Sequence, residues 1–380
     1  MSLAAVAVTF LLTGAIVVAA GTVLARNGDV IAARTHLGGV WVGSIFLAFA
    51  TSLPELTTDI AAVRLGQPDL AAGDLFGSSM ANMLILALIT LLPAGRQLFA
   101  RATLDHSLYV ALAMSLTAIA AILTLAEPRR TVLGLDPGSI VLLLIYLGGT
   151  RAIFLHTVIA KAAGVAAEMR ASPPEPARDT AGAGLASAGA VSVPVASRDV
   201  SATGELLPPA VASAGGAAIE QVPPLRPAVF RFLAAALLIL LAAPRFAGAA
   251  TELATITGLG TTFVGTWLVG ISTSLPELVT SVAAVRLGAY DLAAGNLFGS
   301  NALNMSMFVV LDAVNGGSIL GGISEVHAIS ALVAIALMGV GVAALVYRAT
   351  RRFTLLEPSG GIMLVMYVVG LMVVYQASRG

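Results

Sequence analysis

A chain of 380 residues that is 58% hydrophobic and 11% charged, with a mean hydropathy of +0.96, lies far from soluble domains, which are roughly 45–50% apolar and about 25% charged. Twenty Lys and Arg balance twenty Asp and Glu, so no basic field suggests nucleic acid, and the absence of cysteine removes disulfides and thiolate metal sites. Apolar segments of about 20 residues, long enough to cross a ~30 Å hydrocarbon core as helices, recur from end to end and predict an all-α polytopic membrane protein.

In chain order the first span is 3–24. No basic residue precedes it and its apolar run is too long for a signal peptide, so it is expected to be retained. Further spans are predicted at 39–63, 71–92, 107–126 and 133–150. Residues 171–227 are mostly Ala, Pro, Ser and Gly, a composition with little to bury, and should form a disordered linker. Five more spans follow at 229–248, 258–285, 292–313, 326–347 and 360–376. The chain thus divides into a first membrane region at 1–170, the linker at 171–227 and a second membrane region at 228–380. With the N-terminus outside, fifteen Arg and Lys fall on the inner side; Arg64, Arg129, Arg130, Arg245 and Arg379 stay outside. The positive-inside rule then puts both termini outside and the linker in the cytoplasm, in a multi-pass plasma (inner) membrane protein.

Residues 51–86 and 273–308 align with 24 identities in 36 positions. Pro, Glu, Asp, Arg, Gly and Asn match as well as leucine and alanine, so this is an internal duplication. Each half holds five spans, an odd number, and the second half should enter the membrane upside down. Inverted repeats of this kind place a substrate at the midplane between discontinuous helices, as in secondary transporters.

Each repeat opens with TSLPEL, at 51–56 and 273–278. Pro54 and Pro276 lack an N–H and crowd the carbonyl four residues back, which should free the C=O of Ala50 and Ser272. In a bilayer such carbonyls survive only against protein or a polar cavity. Glu55 and Glu277 are acids in apolar spans, where a charge costs about 2.5–3.5 kcal/mol on insertion scales and usually marks an ion or proton path. Two facing carboxylates need cations or protons between them. Hydroxyls at Thr51, Ser52, Thr273 and Ser274 accompany them, and the next spans add Ser78/Asn82 and Ser300/Asn304 at i, i+4, on one helix face. Such all-oxygen sets suit hard cations; Ca2+ takes about 6–8 oxygens. Gly73–Gly77 and Gly295–Gly299 read as close-packing spacings, and Arg64 and Arg286 as residues of span ends. The four histidines, His36, His106, His156 and His327, are scattered and suggest no metal cluster. No enzyme motif such as HExxH, a P-loop or a nucleophile elbow occurs.

At these residues the chain resembles the cation/Ca2+ exchanger superfamily, through ATSLPEL with GDLFGSSMAN and STSLPEL with GNLFGSNALN. The resemblance to its sodium/calcium branch implies central Glu55 and Glu277 ligating Ca2+ and Na+. It implies hydroxyl and carbonyl oxygens from Thr51, Ser52, Thr273 and Ser274, flanking oxygens from Ser78 and Ser300, amide oxygens from Asn82 and Asn304, and backbone carbonyls from Ala48 and Gly270. Asp59 departs from the pattern, since its repeat partner is Ser281. It is expected as a hydrated side chain at the cavity edge, with an accessory ligand or a tuner of Glu55 as alternatives. Asp74, opposite Asn296, is expected to cap the following helix.

Together these features predict a secondary antiporter exchanging Ca2+ for Na+ by alternating access, with a role in calcium homeostasis, with no cofactor and no ATP site. H+/Ca2+ exchange and K+-dependent Na+/Ca2+ exchange are alternatives within the class; a passive cation channel is the alternative outside it.

Overall fold

The computed structural model describes residues 2–35, 37–126, 131–132, 134–171, 223–256, 272–347 and 358–378. Among the described residues ten helices of twelve residues or more follow one another: α1 (Leu3–Thr35), α2 (Ala48–Arg64), α3 (Pro68–Leu91), α4 (His106–Ala126), α5 (Pro137–Ala171), α6 (Leu225–Ile256), α7 (Leu275–Arg286), α8 (Tyr290–Asn315), α9 (Val326–Tyr347) and α10 (Pro358–Ala377). A one-turn helix, Gly39–Trp41, and a π-helical segment, Val42–Leu47, lead into α2. Among the described residues nine segments are long and apolar enough to cross a membrane, the second of them Gly39–Arg64. The other predicted span, 258–285, is represented by α7, and its residues 258–271 lie outside the described residues, as does most of the linker, 172–222. The chain is a multi-pass membrane protein, and among the described residues every regular element is a helix.

Several helices outrun the predicted spans. α1 continues through Arg26, Asn27 and Asp29 to Thr35, and α5 through Arg151 to Ala171. Hydropathy marks only the stretch that prefers lipid, whereas backbone hydrogen bonding continues while residues tolerate helix. Residues 1–159 and 223–380 form one compact unit; residues 160–222 form a second, whose described part is the continuation of α5.

Within the first unit α3 and α8 are central, 72% and 78% buried over their apolar windows against 22% for α1 and α10. Both begin close to the signals expected of them. Pro68 stands at the start of α3, where a missing N–H leaves no carbonyl unpaired. α8 ends on Gly316 in the left-handed region, whose N–H bonds to the Asp312 carbonyl. A Cβ on Gly295 would lie 2.9 Å from the Ser44 nitrogen, and one on Gly299 only 2.3 Å from the Ser44 carbonyl oxygen. These glycines let α8 touch the backbone of the π-helical segment. α1 lies along α6, with Phe10 stacked on Phe246 at 4.6 Å.

The two prolines act differently. Pro276 stands in the first turn of α7, two residues after Ser274, the residue preceding that helix. Pro54 lies inside α2, which continues past it. In the first repeat the irregular backbone lies upstream, as the π-helical turn at Val42–Leu47. A wider i→i+5 turn of this kind absorbs an extra residue without unwinding the helix.

Candidate ion-binding site

α2 and α7 bring the two TSLPEL elements together between α3 and α8. Glu55 and Glu277 are 1% and 0% exposed. Each is held by a serine of the opposite repeat: Ser52 Oγ donates to Glu277 Oε1 at 3.2 Å, and Ser274 Oγ to Glu55 Oε1 at 3.3 Å. Ser52 Oγ also lies 3.1 Å from Ser300 Oγ. Asn304 Nδ2 donates to Ser78 Oγ at 2.7 Å, and Asn82 Nδ2 to Asn301 Oδ1 at 2.9 Å. All these side chains are buried.

Among the described residues, four oxygens of these glutamates and asparagines are buried without a hydrogen-bond partner: Glu55 Oε2, Glu277 Oε2, Asn82 Oδ1 and Asn304 Oδ1. Polar atoms out of reach of water normally find a partner, and here the amide nitrogens are engaged while the oxygens are left over. A donor set of two carboxylates, amide oxygens and hydroxyls with free lone pairs has the chemistry a hard cation needs. Thr51 Oγ1 lies 3.1 Å from the carbonyl oxygen of Leu47 and 3.3 Å from that of Ala48, so its single hydroxyl proton is shared between its own backbone and Asn296 of the opposite repeat. Gly270 lies outside the described residues.

Asp74 does not cap a helix. It lies in the second turn of α3, and Thr273 Oγ1 donates to its Oδ1 at 3.2 Å. Asn296, its repeat equivalent, receives Thr51 Oγ1 at 3.1 Å in the same way. Both therefore position the threonine of the opposite repeat, a role whose only sequence signal is the aligned GD and GN.

Asp59 is not hydrated either. It is 1% exposed and lies within hydrogen-bonding reach of Asp74, next to the charge of Glu55. The i, i+4 spacing from Glu55 sets the helix face, but α3 closes over that face and removes the water. In the second repeat the equivalent residues form a neutral pair, Asn296 Nδ2 donating to Ser281 Oγ at 3.0 Å. Asp59 Oδ2 and Asp74 Oδ2 have no donor.

Two of the histidines also have roles the sequence concealed. His106 Nε2 lies 3.0 Å from Asp291 Oδ1, and His327 Nε2 lies 3.2 Å from Asp69 Oδ1. Asp69 and Asp291 are repeat equivalents at the starts of α3 and α8, and each meets a histidine of the other half at the start of α4 or α9. Among the described residues no group of three or more acidic or histidine side chains forms a metal cluster.

The profile of a family described as sodium/calcium exchanger protein matches residues 5–154 and 227–376. A segment of 89 residues is 38% identical to inner membrane protein YrbG of Escherichia coli, covering 23% of this chain and 27% of that one. Another of 86 residues is 35% identical to the sodium/calcium exchanger MaX1 of Methanosarcina acetivorans, covering 23% and 25%. The aligned stretches thus span only about a quarter of these relatives. The fold is shared over nearly the whole chain with the sodium-calcium exchanger NCX_Mj: TM-score 0.63 at 17% identity, covering 97% of this chain and 98% of that one.

Proposed function

The chain belongs to the sodium/calcium exchanger protein family, and from that premise we propose that it is an antiporter moving Ca2+ against Na+ by alternating access. The observation that carries this reading is the crossed pair of buried glutamates, each bonded to a serine of the other repeat and each keeping one free oxygen. Two carboxylates carry a charge that one Ca2+ or two Na+ would neutralise. An empty site would leave those charges buried and unpaired, which is strongly unfavourable, so the carrier changes sides only when loaded. Glu55 and Glu277 bridge the ions. Ser52, Ser274, Ser78 and Ser300 supply hydroxyl oxygens, Asn82 and Asn304 amide oxygens, and Thr51 and Thr273 hydroxyl or carbonyl oxygens, with carbonyls of Ala48 and Gly270 at the margins.

The two membrane regions, 1–170 and 228–380, are inverted repeats joined by a cytoplasmic linker, with both termini outside the plasma (inner) membrane. This arrangement rests on the excess of Arg and Lys that it places inside. Reconstituted protein should take up radiolabelled Ca2+ only when a counter-ion is present on the opposite side. Uptake that ran equally well with no exchangeable counter-ion would mean a channel.

A further inference from the structure

A cleft of about 470 Å3 lies between α1, the end of α3 and α7, against the face of α7 opposite Glu277 by helix periodicity. Its walls are apolar: Val18 of α1, Leu88 of α3 with Leu92 just beyond that helix, and Val279 and Val282 of α7. Thr22 also lines it, but its hydroxyl donates to the carbonyl of Val18 and offers the cleft little polarity. Two cations complete the lining, Arg26 and Arg286. Each continues an apolar row on its own helix, Val18–Thr22–Arg26 on α1 and Val279–Val282–Arg286 on α7. Spacings of three and four residues keep each row on one helix face. Arg286 is in the last turn of α7, and the chain turns at Gly288 with φ 77°, which sets the charged end of the cleft where the helix leaves the apolar layer. Both arginines are exposed. Among the described residues neither has an ion-pair or hydrogen-bond partner.

We propose that this cleft is a binding site for an anionic phospholipid, with an acyl chain against the valine and leucine walls and the phosphate between Arg26 and Arg286. An apolar crevice ending in two unpaired guanidinium groups matches the amphipathic form of such a lipid. A zwitterionic lipid would bring a cation against the arginines, and a soluble protein partner would have to reach into the bilayer. Guanidinium groups match phosphate geometry with paired donors, and basic residues at the cytoplasmic surface draw anionic lipids. With the proposed orientation, spans one, three and seven all end on the inner side, so the lipid comes from the cytoplasmic leaflet. Its acyl chain braces α7, the helix that carries Glu277, against α1 and α3.

Native mass spectrometry of the full-length protein released from detergent, with phosphatidylglycerol and phosphatidylcholine added at equal concentration, tests this. The wild type is expected to retain one phosphatidylglycerol with roughly tenfold preference, since each basic residue near the surface adds appreciably to anionic-lipid binding. Arg26→Gln/Arg286→Gln should lose the preference. Val282→Trp, which sets a bulky ring into the apolar wall and keeps both arginines, should lower retention of the lipid while keeping a cooperative thermal transition. Equal retention of the two lipids, a preference that survives the double substitution, or full displacement by millimolar inorganic phosphate would overturn the proposal, the last by revealing a site for a free anion.

Discussion

Ser52 of the first repeat hydrogen-bonds Glu277 of the second at 3.2 Å, and Ser274 returns the contact to Glu55 at 3.3 Å. Neither half can therefore complete its carboxylate site alone; each glutamate's orientation is fixed from across the repeat boundary. Glu55→Gln and Glu277→Gln keep the shape and the serine contact but remove one negative charge. Each is expected to reduce Ca2+ exchange in proteoliposomes to background, with the protein still monodisperse and cooperatively folded. Wild-type exchange in either variant would remove that residue from the centre of the mechanism.

The two repeats differ most at Asp59–Asp74, which faces the neutral Ser281–Asn296 pair as its counterpart. Asp59→Ser/Asp74→Asn would rebuild in the first repeat the hydrogen bond seen in the second. A charge at roughly 6–8 Å and an effective dielectric near 20 acts with about 2–3 kcal/mol. The double substitution is thus expected to weaken apparent Ca2+ affinity by about an order of magnitude or more without unfolding the protein. The Ca2+ concentration dependence of uptake measures this. An unchanged value would show that the pair contributes no net charge to the site.

Gly299 leaves no room for a side chain, because an added Cβ would come within 2.3 Å of the Ser44 carbonyl oxygen. The obstacle is backbone in a π-helical turn, which cannot swing aside like a side chain. Gly299→Ala should destabilise the protein by about 1–3 kcal/mol, the usual range for overpacking, seen as a lower thermal midpoint in detergent. Gly361→Ala, on α10 with no atom within 4 Å of an added Cβ, serves as the control and should leave the midpoint unchanged.

Much of the site is legible in the sequence. The duplicated TSLPEL and the Ser–Asn pairs on the following helices mark which residues converge, because the same polar set twice in apolar spans needs a shared polar environment. What stayed hidden depends on pairing across the chain. The Thr273–Asp74 and Thr51–Asn296 contacts join residues 199 and 245 positions apart, and His327 meets Asp69 across 258. No local spacing encodes such pairs. The burial of Asp59 is hidden for a related reason: helix periodicity gives its face, but only the packing of α3 decides whether that face is closed. The π-helical turn also escaped, since VGSIFL carries no signal that separates an i→i+5 bond from an i→i+4 one.

The linker prediction rests on composition alone, because residues 172–222 are outside those described. A segment dominated by Ala, Pro, Ser and Gly offers few groups to pack. Removing about half of 171–227, while leaving enough chain to join α5 to α6, should preserve Ca2+ exchange. Loss of exchange in a normally inserted, folded protein would assign the linker a regulatory or packing role.

Na+ is the counter-ion we propose, on the balance of charged and neutral oxygens. A proton-driven carrier needs a carboxylate that gains and loses a proton during the cycle, and neutral oxygens add little to that. A sodium-driven carrier must instead complete several small coordination shells. Around Glu55 and Glu277 stand Ser52, Ser78, Ser274 and Ser300 with the free amide oxygens of Asn82 and Asn304, six neutral ligands to two carboxylates. That surplus favours Na+. Vesicles loaded with Na+ and diluted into Na+-free medium at symmetric pH, without K+, should therefore accumulate Ca2+, and Asn82→Ala or Asn304→Ala should weaken the Na+ dependence more than the Ca2+ affinity. Uptake driven by a pH gradient alone, with the Na+ gradient inert, would make the protein a proton/calcium exchanger and leave the amides without their assigned role.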